Sequence, residues 1–270
     1  MEKKNILYRE ENSIMIDLHT HFLPGADGCV ATAKESLSIL KSAAALGFTD
    51  IVLSVCYLPH LGYTQNVAEN AAVQRTLQEM VDTAGLHLHL HPGNEILFDN
   101  ALLNRIGDGA FCPLGTGKVF LTELPGDDSV LISLLERGYT PLLANPERYE
   151  AIQRSPEKLA HYRRLGMMAQ GSLLSLADHY GSAARKTLIQ LLKAGEIDCL
   201  ATGARDGSAY TQFDELAQRA RSIVGEQKFE ALMTTVPARL LGISPFKERD
   251  GTIDGMAATA QPEAAPLPVK

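Results

Sequence analysis

Short apolar runs alternate along this chain with longer segments in which apolar residues recur every three or four positions. The runs lie at residues 14–18, 50–55, 86–91, 119–124, 141–144, 167–170 and 198–201. Segments with helical periodicity lie at 32–46, 64–84, 128–137, 156–165, 180–194 and 212–223. This alternation is typical of βα units around a parallel sheet. About seven strands, each followed by a helix or helical turn, predict an α/β fold that closes, or nearly closes, into a barrel.

The chain is long enough for one barrel domain with a short segment at each end. It has 270 residues, 45% of them hydrophobic, and one α/β barrel typically needs about 250. We predict an N-terminal extension at 1–13, the barrel at 14–245 and a tail at 246–270. The tail is rich in alanine, proline and glycine. We expect it to be disordered, because it offers few large apolar side chains to bury.

Charge and cysteine content disfavour several classes of protein. A net charge of -7 argues against nonspecific binding to nucleic acid or to an anionic membrane surface. The four cysteines form no C-x-x-C pair, which argues against a zinc ribbon or a disulfide framework. No apolar run approaches the roughly 18 to 20 residues that span a bilayer. The sequence predicts a cytoplasmic protein without membrane insertion or a nucleic-acid partner, and it is compatible with an oligomer.

Two histidines at the end of the first predicted strand are the leading candidates for a metal site. His19 and His21 are two residues apart on an extended segment, so both imidazoles point to one face. They also lie at the strand end where barrel enzymes place their chemistry. Asp17 and Asp27 are candidates for an orienting group and an additional ligand. The alternative is a pair of partly exposed loop histidines.

Three motifs, in this order, resemble a known family. They are MIDLHTHFLPGAD at 15–27, GNEI at 93–96 and NPERY at 145–149. Together they resemble the PHP superfamily, and more narrowly the metal-dependent bacterial protein tyrosine phosphatases of capsule and exopolysaccharide loci, over residues 15 to 242. The resemblance implies a distorted (β/α)₇ TIM-like barrel and a cluster of divalent metals, usually manganese, that activates a water to attack phosphotyrosine. It also implies a partner: a bacterial tyrosine kinase or polysaccharide export protein with a tyrosine-rich tail.

The family's metal ligands are only partly retained. His19, His21 and Glu95 match the family's ligands. The other positions depart from the pattern: a single acid at Asp27 followed by Gly28, Cys56 and Asn145 in place of histidines, and Gly203 with Arg205 in place of an aspartate and a histidine. His60, four residues after Cys56, is a possible substitute if its loop is rearranged.

Arg205 places a permanent positive charge where the family holds cations. Two unit charges about 4 Å apart, at an effective dielectric of about 20, repel by roughly 4 kcal/mol, and a divalent ion doubles this. The sequence therefore predicts one Mn²⁺ or Zn²⁺ at reduced occupancy rather than a cluster. Its predicted ligands are His19, His21, Glu95, Asp27 and Cys56, although Cys56 is alternatively a small buried hydrophobe.

Two arginines and one glutamate have competing interpretations. Arg148 can hold a phosphate through bidentate hydrogen bonds, or it can form a surface ion pair with Glu147 or Glu150. Glu95 can bind a metal, or it can pair directly with Arg205 at the barrel mouth. In the second case a fixed cation beside Glu95 would do part of a metal's electrostatic work.

Three alternating histidines precede GNEI. His87, His89 and His91 lie on one face of a predicted strand, in phase with Glu95 if the strand continues. They indicate either a replacement metal site or, as we favour, a polar layer in the barrel or a strand edge that faces water. His91 is nearest to the mouth.

These observations predict a phosphotyrosine phosphatase of polysaccharide biosynthesis with weakened or lost catalysis. Arg148, Arg205 and Asp17 are the residues expected to assist catalysis. One alternative is a noncatalytic protein that binds phosphotyrosine or a partner. Another is a phosphoesterase that uses one metal on a different substrate.

Overall fold

The computed structural model of the protein describes residues 14–245. Within this range one parallel sheet runs in sequential order from β1 to β7. The strands are β1 (Ile16–Thr20), β2 (Asp50–Tyr57), β3 (His89–Ile96), β4 (Val119–Thr122), β5 (Thr140–Ala144), β6 (Met168–Ser172) and β7 (Cys199–Ala201). The predicted extension at 1–13 and tail at 246–270 lie outside the described residues.

The sheet closes on itself at the carboxyl ends of its first and last strands. Thr20 forms a parallel bridge with Ala204, just beyond β7. The backbone N–H of His21 donates to the carbonyl of Ala204 at 2.9 Å, and that of Gly203 donates to the carbonyl of His19 at 3.0 Å. These bonds confirm the predicted α/β barrel, which is nearly closed, and they bring the ends of β1 and β7 together at its mouth.

Helices follow the strands around the barrel. The α-helices are α1 (Ala33–Ala45), α2 (Val67–Thr83), α3 (Asn100–Leu103), α4 (Asp128–Glu136), α5 (Glu150–Arg154), α6 (Glu157–Leu165), α7 (Gly181–Ala194), α8 (Ser208–Thr211), α9 (Phe213–Val224), α10 (Glu226–Glu230) and α11 (Val236–Leu241). Three 3₁₀ turns, Pro59–Leu61, Pro146–Arg148 and Leu173–Ala177, and a π-helical turn, Ala231–Thr235, complete them. Within the described residues, no helix is both long enough and apolar enough to cross a bilayer.

Two helix starts show why the predicted helices form where they do. Thr32 caps α1 by accepting a hydrogen bond from the N–H of Glu35. At the start of α2 the side chain of Asn66 accepts from the N–H of Glu69, and the Glu69 side chain accepts in return from the N–H of Asn66. Such reciprocal caps satisfy backbone donors that the first turn of a helix leaves unpaired.

Apolar side chains fill the barrel interior and a second layer beneath the helices. The interior cluster includes Ile16, Leu18, Val52, Leu121 and Leu142, and Leu240 and Leu241 of α11 pack against it. A larger cluster lies between the outer face of the sheet and helices such as α1, α7 and α9. The interior is therefore packed, and polar side chains collect at the mouth.

The third strand begins and ends later than its apolar run predicts. The expected strand at 86–91 is instead His89–Ile96, so the GNEI motif lies within the strand. Pairing with β2 sets this register, from Asp50 opposite His89 to Tyr57 opposite Ile96. A Cβ on Gly93 would lie 2.8 Å from the Leu114 side chain. Glycine is therefore required here by close packing and not by a turn.

The alternating histidines lie toward the amino-terminal end of β3. His87 and His89 are exposed, and Nε2 of His91 lies 2.7 Å from a carboxylate oxygen of Asp50. Among the described residues, none of the three joins a group of potential metal donors. This placement agrees with the polar-layer and water-facing interpretation.

Candidate metal centre

Three potential metal donors converge at the mouth of the barrel. Nε2 of His19 lies 3.1 Å from Nε2 of His21, and Oε2 of Glu95 lies 3.5 Å and 3.6 Å from these two nitrogens. His19 lies in β1, His21 is the first residue after β1, and Glu95 is the second-last residue of β3. All three residues are buried. The HxH and GNEI motifs, more than 70 positions apart in the sequence, therefore come together in the fold.

Hydrogen bonds determine which ring nitrogens are free. Nδ1 of His19 lies 2.8 Å from Oε1 of Gln170, whose amide nitrogen donates to the carbonyl of Gly171 at 2.8 Å. Nδ1 of His21 lies 2.6 Å from Oδ2 of Asp27. Both acceptors require the proton of a neutral imidazole to sit on Nδ1. The Nε2 lone pairs of both rings therefore face each other and the Glu95 carboxylate.

The charges of these groups show that the site attracts a cation. Burial alone would raise the pKa of Glu95, but the charge and hydrogen bond of His19, together with His21 and Arg205, lower it to about 2. Burial opposes protonation of His19, but the charge and hydrogen bond of Glu95 outweigh it and raise the pKa of His19. Burial lowers the pKa of His21, although the hydrogen bond that His21 donates to Asp27 acts in the opposite direction. Three electron-pair donors thus meet around one position that a proton or a metal ion would stabilise.

The spacing of the donors fits one metal ion. Two ligands of a tetrahedral ion, each about 2.1 Å from it, lie about 3.4 Å apart. The observed separations of 3.1, 3.5 and 3.6 Å match one triangular face of such a tetrahedron. Two imidazoles and one carboxylate suit Zn²⁺ and Mn²⁺. Of the three donor residues, Glu95 also lines a cleft at the barrel mouth.

Asp27 lies behind His21 and orients it, and its role as an additional ligand stays a prediction. Its Oδ2 accepts hydrogen bonds from Nδ1 of His21 and from the backbone N–H of Cys56 at 3.2 Å. Both bonds use the oxygen nearest to the histidine, on the side of the ring opposite Nε2. A carboxylate in this position holds the ring and raises its basicity.

Cys56 is a neutral thiol at the edge of the centre. Its sulfur lies 3.7 Å from Oε2 of Glu95 and 3.8 Å from Nδ1 of His21. It forms a donor group with His21 and Asp27, not with the three converging donors. Burial, reinforced by the charges of Glu95 and Asp27, raises the pKa of this thiol, and metals bind the thiolate. Cys56 is therefore a buried uncharged thiol in this structure, and its role as a ligand stays a prediction.

Asp17 is buried below the centre and supports the barrel there, and its role in catalysis stays a prediction. Its carboxylate accepts hydrogen bonds from the backbone N–H and the hydroxyl of Thr202 and from the hydroxyl of Tyr210. Burial raises its pKa in spite of these bonds. Asp17 therefore fastens β1 to the segment after β7, which positions His19 two residues later.

The two arginines line a cleft of about 400 Å³ at the barrel mouth, which we call the mouth cleft. Its lining residues include Cys56, Leu58, Leu61, Tyr63, Glu95, Glu123, Asn145, Arg148, Tyr149 and Arg205. The guanidinium of Arg148 stacks on the ring of Tyr180 at 4.2 Å. It forms no ion pair with Glu147 or Glu150 in the described chain, because Glu147 is buried and Glu150 pairs with Arg154. Among the described residues its guanidinium has no carboxylate partner within 4.0 Å, which leaves it available to an anion.

Arg205 contacts thiols rather than Glu95. One of its terminal nitrogens lies 3.2 Å from the sulfur of Cys29, and the other lies 4.0 Å from that of Cys56. No ion pair within 4.0 Å joins it to Glu95 among the described residues, so the predicted direct pair is not formed. Its charge nevertheless contributes to the lowered pKa of Glu95.

The residues that stand where the resemblance leads us to expect further ligands also lie near the barrel mouth. Asn145 is buried and adopts a left-handed conformation with φ 49°, which asparagine tolerates better than most residues. Gly203 has φ 65°, and a Cβ there would lie 3.3 Å from Oγ of Ser172. His60 is exposed on the Pro59–Leu61 turn and joins no donor group of the described residues, so it does not replace a ligand.

Sequence reasoning missed two residues of the site. Gln170, in β6, fixes the orientation of His19. Glu123 follows β4 and lines the mouth cleft, and burial together with the charge of Glu95 raises its pKa. The signal for Glu123 was available, because it is the first acid after a strand whose end faces the mouth. Gln170 carried no comparable signal, since a glutamine inside an apolar run belongs to no motif.

Comparisons with known proteins agree with this geometry. The family model for capsular polysaccharide synthesis, CpsB/CapC, matches residues 15–242. The tyrosine-protein phosphatase YwqE of Bacillus subtilis is 27% identical over 201 residues, which cover 71% of this chain and 78% of YwqE. CapC of Staphylococcus aureus is 24% identical over 196 residues, which cover 70% of this chain and 76% of CapC.

A solved structure also shares the fold. It comes from crystal structures of YwqE from Bacillus subtilis and CpsB from Streptococcus pneumoniae, described as metal-dependent tyrosine phosphatases. The match has a TM-score of 0.77 at 23% identity and covers 88% of this chain and all of the other. Since the family model spans most of the chain, this protein belongs to the CpsB/CapC family of capsular polysaccharide synthesis.

Proposed function

We propose that this protein hydrolyses phosphotyrosine with one divalent metal ion, Mn²⁺ or Zn²⁺, and does so slowly. The observation that carries the proposal is the convergence of His19 Nε2, His21 Nε2 and Glu95 Oε2 on one position. The names of the relatives, tyrosine-protein phosphatases, support the substrate class. The few donor groups among the described residues, both of which contain His21, support a single metal and reduced turnover.

The residues of the mouth cleft have distinct roles in this proposal. A divalent metal would lower the pKa of a water molecule and polarise a phosphoryl oxygen. Arg148 and Arg205 bind the remaining phosphoryl oxygens through charge-assisted hydrogen bonds. Glu123, whose raised pKa favours its protonated form, is positioned along the cleft to give a proton to the departing phenolate oxygen as the phosphorus–oxygen bond breaks.

The mouth cleft also offers apolar contacts for an aromatic ring. Leu58, Leu61 and Tyr63 line it together with the charged residues. Leu61 is 61% exposed at the end of the Pro59–Leu61 turn, and a bridge between Leu58 and Tyr63 holds that turn. An exposed leucine at the rim of a charged cleft marks a contact for an apolar group. A tyrosine side chain supplies such a group next to its phosphate.

The protein substrate belongs to the same proposal. We place the protein in the cytoplasm, acting on the tyrosine-rich tail of a bacterial tyrosine kinase or polysaccharide export protein. The family's link to capsular polysaccharide synthesis supports this choice. An extended tail carrying phosphotyrosine can enter an open cleft at the barrel mouth without rearrangement of the barrel.

Metal content and turnover test the proposal together. Purified protein, saturated with Mn²⁺ or Zn²⁺ and desalted, should retain about one ion per chain and release phosphate from a phosphotyrosine peptide. His19→Ala should lose the ion and reduce turnover at least about 100-fold, because two donors hold a divalent ion poorly. His87→Ala is the matched control, because His87 is exposed and lies just before β3. It should change neither the metal content nor the turnover.

A specific observation favours one alternative, a noncatalytic phosphotyrosine-binding protein. Arg148 and Arg205 form an anion site that needs no metal. Under this alternative the metal-treated protein would bind the phosphotyrosine peptide, lose that binding in Arg148→Gln and release no phosphate. Faster turnover of a non-aromatic phosphoester than of the peptide would instead indicate a different substrate.

A further inference from the structure

A second cleft, of about 410 Å³, lies on the flank of the barrel between α2 and β3, and we call it the flank cleft. Its walls are mainly apolar and include Leu23, Leu53, Val67, Ala71, Leu90 and Pro92. None of its lining residues lines the mouth cleft. The metal centre therefore does not account for it.

Two glutamines explain why the cleft stays open. The side chain of Gln74 donates to the carbonyl of Leu90 at 2.8 Å, and that of Gln78 accepts from the N–H of Leu90 at 2.9 Å. The two glutamine side chains connect α2 to the backbone of β3 by hydrogen bonds. Apolar side chains at these positions would let the helix pack more closely on the strand. The fully buried residues of α2, Leu77 and Val81, lie in its second half, whereas residues of its first half are at most half-buried.

Two polar groups of the flank cleft have no partner among the described residues. Arg75 is exposed at the rim and forms no ion pair within 4.0 Å there. Oδ1 of Asn70, five residues before it in α2, is buried without a hydrogen bond among the described residues. Buried polar atoms are nearly always paired with protein, water or ligand. No acid lines the described cleft, so Arg75 is its one charge.

We propose that the flank cleft binds a small amphiphilic anion. The ligand has an aromatic or alkyl body for the apolar walls, an anionic group for Arg75 and a hydroxyl or amine that donates to Asn70. A largely apolar pocket of this size with a few placed polar groups is the usual form of a small-molecule site. The mouth cleft has a different character, because both negatively charged glutamates and positively charged arginines line it.

The position of the flank cleft connects it to the mouth by a short segment. Val67 begins α2, and the segment before it carries Leu58, Leu61 and Tyr63 of the mouth cleft. On the other wall, Leu23 is two residues beyond His21. A bound ligand braces the first half of α2 and the loop that precedes it.

Three related probes test the proposal on the full chain. We take 6-hydroxy-2-naphthoate as the complete probe, 2-naphthoate as the probe without a hydrogen-bond donor and 2-naphthol as the probe without a charge. Isothermal titration should give the tightest binding for the complete probe. Each truncated probe should bind several-fold more weakly, since each lacks one polar contact.

Paired substitutions on α2 locate the binding site. Ala71→Phe fills the cleft and should abolish binding, whereas Ala72→Phe, at the exposed neighbouring position, should leave the dissociation constant unchanged. Arg75→Gln should weaken the complete probe several-fold and leave 2-naphthol unaffected. Equal binding by the two phenylalanine variants, or loss of binding in Arg148→Gln, would place the probe elsewhere and overturn the proposal. Absence of binding to the unmodified chain would overturn it as well.

Discussion

Replacing Gln170 with leucine should weaken the metal centre without removing a ligand. The two side chains have similar volumes, but leucine offers no acceptor to Nδ1 of His19, which now lies 2.8 Å from Oε1 of Gln170. The imidazole proton is then free to move to Nε2, where Glu95 accepts it. Because that tautomer blocks the metal-binding lone pair, we expect metal affinity to fall about 10- to 100-fold. This corresponds to roughly 1.4 to 2.7 kcal/mol.

The same substitution should also lower the free energy of unfolding. Gln170 makes two short hydrogen bonds, to His19 and to the carbonyl of Gly171, both at 2.8 Å. At about 0.5 to 1.5 kcal/mol each, their loss should cost about 1 to 3 kcal/mol. Urea denaturation in the presence of a chelator measures this term, and competition with a chromogenic chelator measures metal affinity separately.

Gln153→Leu is the matched control. The Gln153 side chain donates to the carbonyl of Glu147 at 2.8 Å and contacts neither histidine. It should therefore cost about 1 kcal/mol of stability and leave metal affinity unchanged. If Gln170→Leu bound metal as tightly as the unmodified chain, the argument that a hydrogen bond selects the His19 tautomer would be refuted.

Three further predictions test other parts of the structure. The pKa of Glu95 is about 2, below the ordinary value of a glutamate, so the ionised side chain contributes its full stabilisation above pH about 4.5 and loses it as the pH falls toward 2. The difference in unfolding free energy between the unmodified protein and Glu95→Gln should therefore shrink between pH 4.5 and 2. Urea denaturation in the presence of a chelator measures this difference. Gly93→Ala should cost about 1 to 3 kcal/mol of stability, because its Cβ would lie 2.8 Å from Leu114 and 2.9 Å from Val52, and unchanged thermal denaturation would contradict this. Arg148→Gln should raise KM for a phosphotyrosine peptide about tenfold, the loss expected for a charge-assisted hydrogen bond, with folding unchanged by circular dichroism.

The barrel was predictable because hydrophobic periodicity reports on burial, and burial alternates regularly in βα units. Errors occurred where packing overrides local composition. Pro92 and Gly93 resemble a turn in sequence, yet both lie inside β3. The carbonyl of Pro92 accepts a hydrogen bond from the N–H of Gly115, on the side of β3 away from β2. Because the N–H and C=O of a strand residue point to the same side, the N–H that proline lacks would not have bonded to β2. Local sequence does not encode that neighbour.

The candidate site was predictable where its residues lie at strand ends and belong to motifs. His19, His21 and Glu95 meet both conditions. Gln170 meets neither, and its bond to His19 spans 151 positions, so only the closed barrel reveals it. Arg205 was placed correctly at the mouth, but its contacts were not predictable, because they depend on side-chain positions of Cys29 and Cys56 that the fold sets.

Asn145, where the family resemblance leads us to expect a histidine, has a structural role in these contacts. Oδ1 of Asn145 accepts a hydrogen bond of 3.4 Å from the amide nitrogen of Gln170, and this orients the Gln170 oxygen toward His19. Asparagine suits the place because the residue is buried and has a positive φ. A histidine there would offer an electron pair for a second metal, whereas asparagine extends the hydrogen-bonded chain that holds the first. Asn145 therefore supports the proposed single-metal site through Gln170 and supplies no imidazole for a second ion.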